Sequence, residues 1–305
     1  MQALKAHRYQ INCKTLAPLK LNDYSGSMLR GAFGRALYKQ ACVTKMDNCQ
    51  QCLLFTQCAY PNVFATPAPK QSALQKFSAI PNPFIIEPPP IGETQLKKGE
   101  SFSFNLVLIG QAISHLPLII YAWEKALQNG LGKEKASVSL DSIVFEPNQA
   151  AEQIIYNQQK TLSPVPEFRP PNTQALEEVT LKFITPLHIK KHGKVMTETL
   201  TARDFLMALI RRYYLLQEFH GKNYEAPDFT KLAKNAEQIN CQTDLQWYEW
   251  QRYSSRQKQK MTFGGVIGTI KLSGELTAFL DILQSGQWLH VGSKTTFGMG
   301  RYQII

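Results

Sequence analysis

The sequence predicts an α+β protein in which one βαββαβ order of elements occurs twice. Three observations carry that prediction. Period-two segments and helical apolar stripes follow one another in the same order before and after a polar, proline-rich stretch at 147–176. The clearest strand, Ser101-Phe102-Ser103-Phe104-Asn105-Leu106-Val107-Leu108, alternates along its whole length. A chain of 305 residues with 44% hydrophobic content is also long enough for two domains with separate cores. The βαββαβ order is that of the ferredoxin-like, RRM-like fold.

In the first half, Tyr9–Cys13 reads as a strand and Ser27–Ala41 as a helix, with Met28, Leu29, Phe33, Ala36 and Leu37 on its apolar stripe and Ser25 or Ser27 as its cap. Phe84–Ile86 is a short strand inside a proline-rich span, and the alternating 101–108 segment follows. Leu118–Leu127 is helical and stops near Asn129-Gly130, and Val138–Phe145 closes the set. The expected domains are 1–146, carrying a cysteine-rich insertion at 42–60, then a linker at 147–176, then 177–305. In the second half, Val179–Ile189 is a strand and Thr201–His220 a helix. Leu245–Tyr253 and Met261–Leu272 form a hairpin, Leu276–Leu283 is a helix, and Trp288–Ile305 holds the last strand.

Formal net charge is +11, and +7 of it falls in residues 180–305. Such an excess favours polyanions, nucleic acid before membrane. The start, Met1-Gln2-Ala3-Leu4-Lys5, has no apolar signal core. The most apolar region, Leu106–Trp123, is broken by Gly110, Gln111, Ser114, His115 and Pro117, which argues against a membrane span. Four of the six cysteines lie in one short window, which points to a metal knot in a reducing cytoplasm.

The tail, His290-Val291-Gly292-Ser293-Lys294-Thr295-Thr296-Phe297-Gly298-Met299-Gly300-Arg301-Tyr302, is the most informative motif. Its glycines allow tight bends, and bends can free amides for anionic oxygens. Lys294 and Arg301 add charge, so Gly292, Ser293, Lys294, Gly298, Gly300 and Arg301 are expected at a phosphate backbone. Two more basic sets suit RNA. Arg252, Arg256, Lys258 and Lys260 lie at the hairpin tip beside Trp247, Tyr248, Trp250 and Tyr253; Lys190 and Lys191 form a basic turn with His192 and Lys194. Arg30 and Arg35 add charge on the first helix. Arg211-Arg212 lie on another, where a salt bridge is expected for at least one.

Cys42, Cys49, Cys52 and Cys58 are spaced for one tetrahedral ion, the central pair gripping it and the outer pair closing the shell. Four thiolates leave no open position, so a zinc there is structural; an iron–sulfur cluster would take the same ligands. Cys13 and Cys241 read as buried thiols.

Three stretches carry a resemblance. Phe263-Gly264-Gly265-Val266-Ile267-Gly268, the helix-like Glu275–Gln284 and Leu289 through Tyr302 resemble the C-terminal signature of the CRISPR-associated Cas-six endoribonucleases, in the RAMP superfamily. Leu29-Arg30-Gly31-Ala32-Phe33-Gly34-Arg35-Ala36-Leu37 with the four cysteines and Tyr60 resembles a cysteine-bearing branch of that family. Thr185-Pro186-Leu187 leading to Arg211-Arg212 is a third, weaker match. The resemblance implies a tandem ferredoxin-like architecture. It implies metal-independent cleavage of CRISPR precursor RNA within repeats, by attack of a 2′-hydroxyl on the adjacent phosphate. It also implies CRISPR repeat RNA as partner, a CRISPR effector complex as a further one, and no cofactor in catalysis.

Many relatives carry a catalytic histidine on or just after the first helix. Here Arg35–Asp47 holds Tyr38, Lys39 and Lys45 but no histidine. His188 and His192, beside the basic turn, are the first choice for proton transfer, because histidine titrates near neutrality. His290 is next, and Tyr38 with Lys39 is the alternative. The departure keeps a non-catalytic RNA-binding subunit open as a second function, and a zinc-containing protein scaffold as a third.

Overall fold

The computed structural model describes residues 4–46, 48–66, 80–147, 152–159, 161–163, 176–191, 193–196, 200–222, 224–254 and 259–305, without the side chains of 252–254 and 259–261. It comprises two compact units, Met1–Arg169 with Leu215–Asn223, and Pro170–Tyr214 with Tyr224–Ile305.

The first unit contains β1 (Ala6–Thr15), β2 (Leu19–Leu21), α1 (Gly26–Ala41), α2 (Ala59–Phe64), β3 (Phe84–Glu87), β4 (Thr94–Leu96), β5 (Ser101–Ile109), α3 (Leu116–Gln128), β6 (Val138–Glu146) and β7 (Gln153–Asn157). Its main sheet is antiparallel with order β3-β5-β1-β6-β7. β1 is central because it alternates: Tyr9, Ile11 and Cys13 are buried while Arg8, Gln10, Asn12 and Lys14 are turned the other way. The core joins this face to α1 and α3, where Phe33 stacks on Trp123 with ring centroids 5.0 Å apart. Trp123 is fully buried, so Trp123→Ala would cost about 3–5 kcal/mol. Gly34 has no room for a side chain, because the Phe64 ring of α2 occupies the place of its β-carbon.

The second unit contains β8 (Glu178–Leu187), β9 (Lys190–Lys191), β10 (Lys194–Val195), α4 (Ala202–His220, its last turns grouped with the first unit), α5 (Phe229–Glu237), β11 (Asn240–Ser254), β12 (Gln259–Ser273), α6 (Leu280–Leu289) and β13 (Tyr302–Ile304). Its antiparallel sheet has the order β11-β12-β8-β13. Tyr302 anchors the core: its ring meets Phe183 and Phe205, and its hydroxyl donates to the Leu283 carbonyl at 2.6 Å. Gly286 is required there because a β-carbon would collide with that hydroxyl. Among the described residues, no helix is long and apolar enough to cross a membrane.

Three sequence expectations are corrected. The stretch expected as a linker contains β7, which pairs with β6 through Tyr156↔Ile143. It escaped notice because an edge strand needs few apolar residues; Ile155 is buried and Ile154 is exposed. Ser25 precedes α1 but makes no side-chain cap; its hydroxyl donates instead to the Asn22 carbonyl at 3.0 Å. The helix expected over 276–283 starts at Leu280 and runs through Trp288 and Leu289, and α5 was not foreseen. Of Arg211 and Arg212, for at least one of which a salt bridge was expected, Arg212 is buried; its Nε donates to the Leu289 carbonyl at 2.7 Å, and burial lowers its pKa to about 9, so that expectation is left to Arg211.

Candidate functional site

The glycine-bearing tail forms a bend stitched to the end of β8. The Thr185 hydroxyl donates to the Gly298 carbonyl at 2.6 Å and accepts from the Arg301 amide at 2.9 Å. The Gly300 amide donates to the Pro186 carbonyl at 2.9 Å and the Ser293 amide to the His188 carbonyl at 2.8 Å. Two further amides, those of Phe297 and Gly298, close the turn on Lys294 and Thr295. Four of the residues expected at phosphates, Ser293, Gly298, Gly300 and Arg301, therefore have their amides engaged within the protein, and the bend offers charge more than freed N–H groups. Glycine is required at 300, where φ is 73° and a β-carbon would strike the Val291 carbonyl. Lys294 takes φ of 63° as well, a conformation uncommon for a side-chain-bearing residue.

That geometry brings Lys294 and His188 together. The Lys294 ammonium lies 3.7 Å from the centroid of the Phe263 ring, a cation–π contact. His188 Nδ1 lies 2.6 Å from the Gly264 carbonyl, the neighbouring residue of β12. A carbonyl only accepts, so Nδ1 carries the proton and Nε2 keeps a bare lone pair in the neutral ring. Nε2 is buried and without a hydrogen-bond partner among the described residues. Burial depresses the His188 pKa; the Gly264 bond offsets part of this, and the Lys294 and Lys190 charges add to it. The ring is therefore neutral at neutral pH. Aromatic rings continue from Phe263 along the hairpin, to Trp250 at 6.1 Å and Tyr248 at 5.9 Å beyond it. Trp247, 42% exposed, lies on Gly264 across the strands.

Other expected residues fall elsewhere. His290 is wholly buried with Nδ1 3.1 Å from the Met299 carbonyl, a contact within the bend itself. Lys191 is paired with Asp204 at 2.9 Å, which draws part of its charge away from any phosphate, whereas Lys190 is exposed. His192, Arg256 and Lys258 lie outside the described residues, as do the side chains of Arg252 and Lys260. On α1, Arg30 lies over the Phe64 ring at 4.3 Å, and Arg35 and Lys39 are exposed. The Tyr38 hydroxyl donates to the Met46 carbonyl at 3.3 Å and its ring meets Tyr60 edge-on.

The four clustered cysteines are free and line one cavity of about 380 Å³ with Tyr38 and Tyr60. Burial, then the charges of Cys42, Cys58 and Cys52, raise the pKa of Cys49. Among the described residues, no three of His, Cys, Asp or Glu are gathered closely enough to hold an ion, so the expected four-cysteine knot is not formed as a compact cluster.

The sequence reading missed Thr185 as the residue that pins the bend, and Phe263 and Gly264 as its floor. All three stood in the quoted motifs, but only the sheet register brings them together.

This mixed fold has known counterparts. Residues 181–302 match the family model of the CRISPR-associated endoribonuclease Cas6, and residues 4–167 match a model described as an N-terminal domain. Over residues 181–302 the chain thus carries a domain of the CRISPR-associated endoribonuclease Cas6 family. An uncharacterized protein of Archaeoglobus fulgidus is 22% identical over 292 residues, 93% of this chain and 92% of its own. A Cas6 product complex shares the fold at a TM-score of 0.59 with 16% identity, covering 99% of this chain and all of that one. Thermus thermophilus Cas6 does so at 0.55 and 13%, over the whole of both chains.

Proposed function

We propose that this protein cuts CRISPR precursor RNA within its repeats, in a tandem ferredoxin-like frame. The 2′-hydroxyl attacks the adjacent phosphate and the 5′-oxygen of the next nucleotide leaves, giving a 2′,3′-cyclic phosphate and a 5′-hydroxyl. No metal takes part in the reaction. The strand orders β3-β5-β1-β6 and β11-β12-β8-β13, each with a helix after its first and third strands, support the frame.

The observation that carries the reading is the pairing of Lys294 with a neutral His188 of fixed tautomer. Lys294 supplies positive charge to the phosphorane, where a preoriented cation is worth most. His188 Nε2 accepts the proton of the attacking hydroxyl. Because that nitrogen is buried, substrate binding has to uncover the ring edge; Tyr38 and Lys39 are the alternative proton carriers. Arg30, Arg35, Lys190, the hairpin cations and the exposed Trp247 hold the RNA by phosphate and base contacts. The Cas6-RT-Cas1–Cas2 complex, whose chain shares this fold over 46% of its length at a TM-score of 0.55, supports a larger CRISPR assembly as a further partner.

The experiment is incubation of the pure protein with end-labelled repeat RNA in EDTA. Discrete products ending in cyclic phosphate are expected. A second reading, an RNA-holding subunit that does not cut, is favoured by the closure of both His188 and His290 from solvent. Tight, salt-dependent binding of intact repeat RNA would select it.

A further inference from the structure

The loop that joins α1 to α2 inverts the usual sorting of side chains. Between Cys42 and Cys58, only the four cysteines and Phe55 are turned even partly inward among the described residues. The large apolar residues point out: Leu53 is 98% exposed and Val43 80%. Burial of apolar surface therefore contributes little to holding this loop together, since Leu53 and Val43 stay in water and Phe55 alone of its large apolar residues is turned partly inward. A segment that turns thiols in and leucine out needs a cross-link of another kind.

We propose that Cys42, Cys49, Cys52 and Cys58 bind one structural zinc ion, tying the end of α1 to the start of α2. Cys42 is the C-terminal cap of α1 and Cys58 precedes the first residue of α2, so the two outer ligands sit on the two helix ends. Cys49 and Cys52 lie in one tight turn, closed by the Cys52 amide on the Cys49 carbonyl at 3.0 Å. The Asn48 side chain caps that turn by accepting from the Gln50 amide at 3.0 Å. Such a turn projects both sulfurs of a Cys-x-x-Cys pair to one side. All four thiols face one cavity, and the Thr44 hydroxyl lies 3.3 Å from Cys52 Sγ, where it would orient a metal-bound thiolate.

The cavity, about 380 Å³, is wider than one ion needs, and the thiols are not drawn into a ligating group. Zinc–sulfur bonds of about 2.3 Å would contract it. Binding and ordering of the loop are then one event, with protons released from the thiols as the ion enters. Four thiolates close the shell, so the ion does no chemistry on RNA. The inference does not rest on the proposed cleavage reaction.

The test uses the full-length protein purified under reducing conditions. Elemental mass spectrometry is expected to find one zinc per chain. After removal by chelator, cobalt(II) is expected to rebind at one equivalent, with the visible bands of a tetrahedral thiolate site and near-ultraviolet sulfur-to-cobalt charge transfer. Cys49→Ser and Cys52→Ser should lose the metal; Cys241→Ser, outside the loop, should keep it. Protein that is isolated without zinc and gives no thiolate cobalt spectrum overturns the proposal, a readout that does not depend on any variant folding. So does a brown iron–sulfur chromophore, or recovery of the four cysteines as two disulfides. Failure of RNA cleavage with zinc present would count against the proposed function and leave this site standing.

Discussion

Trp247 lies across the hairpin on Gly264, so closely that a β-carbon on Gly264 would collide with the six-membered ring of the indole. The glycine is thus a seat for a half-exposed aromatic ring. Its carbonyl accepts from His188, so the seat and the histidine share one residue.

Trp247→Ala is expected to weaken repeat RNA binding by about five- to a hundredfold, the range for loss of one base–aromatic stack. Gly264→Ala should weaken it too, by displacing the ring. Binding to the wild type should quench tryptophan fluorescence, and an equal affinity in Trp247→Ala would remove the indole from the interface.

Lys294→Gly keeps the left-handed backbone and removes the charge. Cleavage by saturating enzyme is expected to fall by about a hundredfold, the scale for one lost electrostatic contact to a developing anion. Thermal stability should hold or rise by a few tenths to about 1 kcal/mol, because glycine relieves the φ of 63°. A normal single-turnover rate would take Lys294 out of the reaction.

The His188 pKa lies below the usual value of 6.5 because the ring is buried. As a base it works only when neutral, so the cleavage rate should be flat through neutral pH and decline on an acid limb below 6.5. In His188→Ala the rate should drop by on the order of a hundredfold and the limb should vanish. A retained limb would pass the role to Tyr38 and Lys39, and Tyr38→Phe is the next variant to assay.

His7 concerns stability, not cleavage. Burial, then the Lys5 charge, lowers its pKa from 6.5 to about 4. The unfolded chain takes up the proton first, so stability is full above pH 6.5 and is lost as the pH falls toward about 4. The loss for this residue is on the order of 3 kcal/mol. Urea unfolding of the wild type and of His7→Gln at several pH values should show a shallower acid loss in the variant; parallel curves would assign the loss to other groups.

Much of the frame was legible in the sequence because its strands alternate and its helices carry stripes. The 101–108 alternation and the Asn129-Gly130 stop fall where β5 and the end of α3 lie. β7 was not legible, since an edge strand in a proline-rich stretch owes its order to β6 more than to its own residues. Helix α6 was displaced because Leu276 and Phe279, which are buried and fit a helical stripe, lie in the turn before it. The charge at Lys294 could be read directly. Its neighbour across the fold could not: the two residues are joined by a sheet register and a parallel bridge between His188 and Gly292, and no local pattern encodes either. Basic residues were easy to nominate and harder to place, as the pairing of Lys191 with Asp204 shows.

The twin bonds of the Thr185 hydroxyl have a mechanical consequence. With Gly298 and Arg301 both pinned to a sheet strand, this segment is an anvil and not a lid. It arrives preorganised, so an incoming strand gains no closure step and loses little loop entropy on docking. Turnover would then be timed by how quickly the cut strand departs.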